Sequence, residues 1–316
     1  MEQLGTWWFR LDKRAKEGED AFPLVIDQPG RHWYATFDGL GGSGSRKVQY
    51  EKSRPRTHAW FASRLAMLTM NNDLRTTQDK VDHGWITRTI QGAMQAFLRE
   101  LPPDTSRVRG RTVRDLPTTM AAFQLVPETD KLDCTIFWAG DSRVYSLAPQ
   151  REYGLQQLTR DDALGDPDAY AAIRADAPMT NVIQASAQFE IHEKGYESTV
   201  PVIVFAATDG CFHYVHAPQF FELLILEAME EADSLETWRD ATKARIDGIR
   251  QDDASMVLTA WGWHSFAEMK DAFMPRLAQL RDQRECHGGD AFAWWEEYGP
   301  QYGMEMWKRP EAEAHV

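Results

Sequence analysis

Three apolar stretches of this chain run straight into an aspartate. HWYATF (32–37) leads to Asp38-Gly39, TIFWAG (135–140) to Asp141, and VIVFAAT (202–208) to Asp209-Gly210. A fourth acidic pair, Asp252-Asp253, stands immediately before ASMVL (254–258). A carboxylate abutting a buried strand is costly to desolvate unless a cation or hydrogen-bond donors meet it. One such residue is an ordinary turn. Four leave two readings: unrelated turns, or strand ends that converge on one site. Converging carboxylates repel one another and need cations at neutral pH. All-oxygen ligation suits hard ions such as Mg²⁺ or Mn²⁺. Two such ions held ~3.5–4 Å apart can clamp a phosphoryl group and activate water.

Other chemistries fit less well. There is no His-Glu-x-x-His, and Cys286-His287 stands alone, so nothing competes for zinc. A phosphate-cradling P-loop needs a lysine where GLGGSGS (39–45) has Ser45. GLGGSG (39–44) has the spacing of a dinucleotide fingerprint, but Asp38 would set a negative charge beside the pyrophosphate and no βαβ unit surrounds it. Neither GGSGS nor GDSRV fits the Gly-x-Ser-x-Gly elbow of a serine hydrolase.

The elements that must position these aspartates can be read from periodicity. FPLVI (22–26) and HWYATF (32–37) are strands separated by the turn signal DQPG. Two helices follow, over 57–70 with Phe61, Leu65 and Leu68 on one face, and over 86–101 with Ile86, Ile90, Met94 and Phe97 repeating. Residues 102–117 read as a loop. Strands are expected at 118–126, 133–140, 143–147 and 153–158. Residues 160–181 form a long irregular acidic segment, more in keeping with a binding flap than a linker. A buried strand at 200–210, helices at 218–232 and 234–249, and a strand at 255–263 complete the order. This is not a regular βαβ alternation, so an α+β layered domain is expected. Ser265 and Glu268 have capping-box spacing and open a helix to about residue 285, followed by the aromatic stretch 292–307. The chain divides as a domain over 1–263 and a Trp-rich extension over 264–316, which either packs on the domain or docks a partner.

The net charge of −13 over 316 residues argues against nucleic acid or an anionic membrane as a general partner. It fits an acidic metal site or a solvated acidic surface. Three widely spaced cysteines do not read as a disulfide framework, and Cys134 and Cys211 sit in apolar runs as core residues. No signal-peptide-like or ~20-residue apolar segment is evident, so the expected location is cytoplasmic.

Taken in order, the motifs resemble those of the type 2C metal-dependent protein phosphatases, the PPM family, in its bacterial form. The resemblance spans roughly residues 10–260: RAKEGEDAF (14–22), FDGLGG (37–42), PTTM (117–120), WAGDSRVYSL (138–147), LTRDDA (158–163), TNVIQAS (180–186), FAATDG (205–210) and QDDASMVL (251–258). It implies a four-layer α-β-β-α sandwich of two antiparallel sheets. It further implies hydrolysis of phosphoserine and phosphothreonine on proteins, by in-line attack of a metal-bridging hydroxide and without a phosphoenzyme. In that scheme Asp38 bridges two Mn²⁺ or Mg²⁺ ions, the Gly39 carbonyl ligates one, and Asp209 and Asp252 each hold one. Glu19 and Asp20 act through metal-bound water, and Arg14 grips the phosphate with its guanidinium fork. Partners would be a phosphorylated substrate and a cognate Ser/Thr kinase or its targets.

The chain departs from the family pattern at four positions. Leu40 stands where many eukaryotic members have a histidine proposed as general acid, so water is left for that role. His213 stands where a third-metal aspartate is common, with Asp141 as that ion's other ligand. Asp162 replaces a histidine and Pro117 a glycine. These departures keep open a catalytically weak or inactive phosphoprotein-binding regulator. Arg46, Lys47, Lys52, Arg54 and Arg56 make a basic stretch that reads either as a solvated loop or as a phosphoprotein contact.

Overall fold

Ten of the strands form two antiparallel sheets of five, in a computed structural model that describes residues 1–51, 54–77, 80–102, 114–149, 154–165, 169–174 and 177–302. In chain order the elements are β1 (Gln3–Leu11), β2 (Leu24–Gln28), β3 (Arg31–Thr36), β4 (Lys47–Val48), β5 (Arg56–Thr57), α1 (His58–Thr76), α2 (His83–Glu100), β6 (Met120–Pro127), β7 (Leu132–Ala139), β8 (Arg143–Leu147), β9 (Leu155–Gln157), α3 (Ala169–Arg174), β10 (His192–Ser198), β11 (Val202–Ala207), α4 (Pro218–Glu231), α5 (Leu235–Ile249), β12 (Ala254–Trp261), α6 (Phe266–Cys286) and α7 (Ala291–Tyr298). One sheet runs β1-β12-β11-β8-β9 and the other β10-β7-β6-β3-β2, while β4 and β5 pair separately.

Strands β8, β11 and β12 are buried on both faces, which is why they read as nearly continuous apolar runs. Alternation still sorts their side chains. Tyr34, Phe123, Val204 and Val257 fill the space between the sheets. Trp33, Ala35 and Phe137 face α1 and α2, and Phe205, Ala207 and Leu258 face α4 to α6. The result is the four-layer α-β-β-α sandwich.

Thr57 caps α1, its hydroxyl accepting from Trp60 N at 3.0 Å. The inward stripe of α1 is not the expected Phe61, Leu65 and Leu68. Ala59, Ala62, Ala66 and Met70 are buried, and Leu68 is 50% exposed. Small residues let the helix backbone approach the sheet. Phe61 turns instead toward Phe97 and Tyr50, forming an aromatic cluster at the α1–α2 surface. Strand β10 is a further difference, because its sequence HEKGYES lacks apolar content. It is an edge strand on β7 with charged residues facing out, which also discourages pairing with other chains.

Helix α6 starts at the expected cap, with Ser265 Oγ accepting from Glu268 N. Phe273, Leu277, Trp294, Trp295, Tyr298 and Tyr302 join the same core as α4. Arg276 and Glu222 form a fully buried ion pair at 2.8 and 2.9 Å, to which Tyr298 Oη also donates. The end of the aromatic stretch, from residue 303, and Lys52 of the basic stretch lie outside the described residues.

Candidate metal centre

Strand register gathers the aspartates at one end of the sandwich. Ala207, the last residue of β11, pairs with Met256 on one side and Arg143 on the other. Asp209, Asp252 and Asp141 therefore leave one sheet from neighbouring strands. In the second sheet Thr36 pairs with Ala121, and Met120 with Ala139. This sets Asp38 beside the start of β6 and the β7–β8 turn that carries Asp141. Asp38, Gly39, Asp141, Asp209, Asp252 and Glu19 line one cavity of about 540 Å³.

The backbone around this cavity is tightly specified. Thr118 Oγ1 and Thr119 N donate to the Asp38 carbonyl at 2.6 and 2.8 Å. Thr119 Oγ1 meets Ser142 Oγ at 2.6 Å, linking the Asp38 and Asp141 turns. A Cβ on Gly39 would lie 2.5 Å from the Ala59 carbonyl oxygen and 2.7 Å from that of Glu19, so only glycine fits. A Cβ on Gly210 would lie 1.8 Å from the Asp253 carbonyl oxygen, which lets the Asp209 and Asp252 turns touch.

The electrostatics are those of crowded acids. Burial pushes Asp38 well above the usual carboxylate range, and Asp20, Asp209 and Asp141 add to it. Burial followed by Asp209 does the same to Asp141. Asp20, fully buried beneath the cavity, is pushed up to about 7 by burial, with Asp253 adding to it, although it accepts from Thr208 Oγ1 at 2.9 Å. Glu19 is raised by burial and by Asp253 and Asp252, against a hydrogen bond from Thr57. Asp252 is raised by burial and Asp209.

The donor set fits hard divalent cations. Asp20 Oδ1 and Asp141 Oδ1 are buried without a donor among the described residues. A cation would meet such orphaned oxygens and relieve the mutual repulsion. Among the described residues no three His, Cys, Asp or Glu side chains form a ready-made ion cage; the carboxylates share a cavity instead. His213 Nδ1 lies 3.8 Å from Asp209 Oδ2, and the two share a small recess with Asp141. Arg14 is exposed on an adjoining cleft of about 390 Å³ and does not line the carboxylate cavity itself.

Sequence reasoning misses Arg114 and Arg64 at the site and the bracing roles of Asp253 and Asp162. Arg114 is the arginine on the cavity wall, held by its own N–H to Ser43 O and by Nη2 to Met179 O, both at 3.0 Å. Asp253 is a clamp: its two oxygens accept from Lys13 N and Glu19 N at 2.5 and 2.6 Å, fixing the loop that bears Arg14 and Glu19. Arg64 holds the same loop, donating to the Gly18 and Glu19 carbonyls. Asp162 accepts from Gly140 N at 2.9 Å and from Asn181 at 2.7 Å and meets His192 at 2.8 Å, so it braces the Asp141 turn and the returning flap. Arg46 of the basic stretch turns inward to His58 and Asp115.

This architecture defines a class: it is the fold of the bacterial PPM-type serine/threonine phosphatases. No family model and no curated protein matches the sequence. Among solved structures, a bacterial serine phosphatase aligns with TM-score 0.57 at 14% identity, over 81% of this chain and 97% of that one. Stp1 from Staphylococcus aureus aligns with TM-score 0.56 at 14% identity, over 82% and 96%. The catalytic domain of the phosphatase PstP, solved with two manganese ions, aligns with TM-score 0.51 at 14% identity, over 82% and 98%. Among the described residues no helix is long and apolar enough to cross a membrane.

Proposed function

We propose that this chain is a metal-dependent protein phosphatase acting on phosphoserine and phosphothreonine. The observation that carries the reading is the convergence of Asp38, Asp141, Asp209 and Asp252, from both sheets, on one cavity above the buried Asp20. The PstP neighbour, with the same fold, holds two manganese ions. Asp38, the Gly39 carbonyl, Asp209 and Asp252 are the proposed ligands of two Mn²⁺ or Mg²⁺ ions, with Glu19 and Asp20 supporting them. Asp141 and His213 are the proposed ligands of a third. Bound ions would supply Lewis acidity toward the phosphoryl oxygens and an activated water.

The chain's own residues orient and neutralise. Arg14, on the loop clamped by Asp253, would reach the substrate phosphate from the adjoining cleft, where a guanidinium matches two phosphoryl oxygens. Arg114 faces the same cavity from its other wall. Leu40 also lines the cavity and has no ionisable group, which leaves water as the proposed proton donor to the leaving oxygen. The substrate is a phosphorylated protein, and the physiological counterpart is a Ser/Thr kinase or its targets.

One observation favours a second reading. Leu40 on the cavity wall and His213 beside Asp209 suit a weakly active or inactive phosphoprotein-binding regulator. Hydrolysis of an aryl phosphate under Mn²⁺ or Mg²⁺, compared with Asp209→Asn, separates the two. The phosphatase reading expects metal-dependent turnover that Asp209→Asn abolishes; an inactive parent protein would leave only the regulator.

A further inference from the structure

The cleft beside the carboxylate cavity gathers four basic side chains on a chain that is acidic overall. Lys13, Arg14, Lys47 and Arg56 line it, and it shares Glu19, Gly41, Gly42, Asp252 and Asp253 with the cavity, so the two are continuous. Lys47 and Arg56 come from the short β4–β5 ladder, where Lys47 pairs with Thr57 and Val48 with Arg56. Arg56 is preorganised. Its Nη1 donates to the Lys16 carbonyl at 2.8 Å and its guanidinium lies 5.0 Å from the Trp60 ring, which Arg64 flanks at 4.1 Å. Lys47 is exposed.

Carboxylates line the same cleft, and three of the four have partners. Asp253 is taken by two backbone N–H groups, Glu19 by Thr57, and Asp252 lies 3.8 Å from Lys13. Glu17 is the fourth carboxylate lining the cleft, and ions bound at the cavity would offset Glu19 and Asp252. On a chain of net charge −13, an acidic segment is repelled by most of the surface. This cleft is where one would be accepted, within a residue or two of the cavity at ~3.3 Å per extended residue.

We propose that this cleft is a substrate subsite for Asp and Glu side chains flanking the phosphorylated serine or threonine. The inference rests on the phosphatase reading and names its substrate class: acid-flanked phosphosites. Arg56 supplies a fixed fork for a carboxylate. Lys47 and Lys13 supply mobile point charges that tolerate variation in where the acids fall.

The test uses two phosphopeptides that differ only in flanking Asp and Glu against isosteric Asn and Gln. The full-length Mn²⁺-loaded protein should prefer the acidic peptide about tenfold in kcat/KM at low salt, from about threefold per exposed ion pair. The preference should shrink as ionic strength rises. Lys47→Gln should remove about threefold of it, and Lys47→Gln with Arg56→Gln nearly all. Equal rates for the two peptides, or a preference that survives both substitutions, would overturn the proposal. Arg56 also supports the Lys16 loop; should the double variant unfold, Lys47→Gln alone carries the test. Aryl phosphate turnover reports separately on the phosphatase reading. If the parent does not turn it over, anisotropy of the same two labelled peptides on Mn²⁺-loaded protein still decides whether the cleft selects acid flanks.

Discussion

Replacing Asp20 by asparagine in metal-stripped protein should flatten the dependence of stability on pH between 6 and 8. Asp20 is fully buried, and its folded-state pKa is about 7 against 3.8 for an ordinary aspartate. The folded chain therefore holds a proton that the unfolded chain has already released. Stability contributed by that proton is complete below the unfolded value and is lost as pH rises through the folded one. At 1.36 kcal/mol per unit the loss totals about 4 kcal/mol, of which about 1.4 kcal/mol falls between pH 6 and 8. Asp38, raised by burial and by Asp20, adds loss of the same sign. His192 does as well, its pKa raised by Asp162, so the comparison must be between variant and parent. Asparagine can keep the Thr208 hydrogen bond through its carbonyl oxygen and remove the charge. Urea denaturation in chelator at pH 6, 7 and 8 reads the effect. The parent should lose at least about 1.4 kcal/mol across this window, and Asp20→Asn should lose about that much less. A parent whose stability is flat or rising, or an Asp20→Asn protein with the parent's slope, would refute the reasoning that burial holds these acids protonated.

Asp209→Asn should lower Mn²⁺-dependent aryl phosphate hydrolysis by more than about 100-fold, measured as kcat/KM, since losing even an outer-sphere partner of a metal ligand costs about 10–100-fold. Gly39→Ala should destabilise the fold by about 1–3 kcal/mol in urea, because its Cβ meets two backbone carbonyls that cannot yield without moving α1 or the Glu19 loop. Glu222→Ala should cost about 3–5 kcal/mol, since it removes the carboxylate buried against the Arg276 guanidinium. A urea midpoint close to the parent's would show that solvent reaches that pair.

Much of the site was legible because it is built from backbone punctuation. An apolar strand stopping on Asp-Gly announces both a buried strand and a turn that only glycine permits, and two such stops, joined by Gly140-Asp141, reach one cavity. The layered arrangement followed from element order. What the sequence hid depends on packing across the chain. The inward face of α1 is its alanines, because close approach to a sheet favours small side chains over the leucines that periodicity picks out. Strand β10 has the alternation of an edge strand but little of its apolar content. Asp253 and Arg114 are local in sequence to nothing they serve: one clamps a loop 240 residues away in the chain, and the other faces the cavity from outside every motif. The basic stretch before α1 read as a single patch, yet Arg46 turns into the protein while Lys47 and Arg56 line the cleft.

The central claim is that the converging carboxylates hold divalent ions, and calorimetric titration of Mn²⁺ into metal-stripped protein tests it most directly. Binding should displace the proton held by Asp20, so the heat should vary with the ionisation enthalpy of the buffer at pH 7. The account predicts at least two ions per chain with proton release, and loss of binding in Asp38→Asn. Absence of binding at millimolar Mn²⁺, or binding that Asp38→Asn leaves intact, would contradict it.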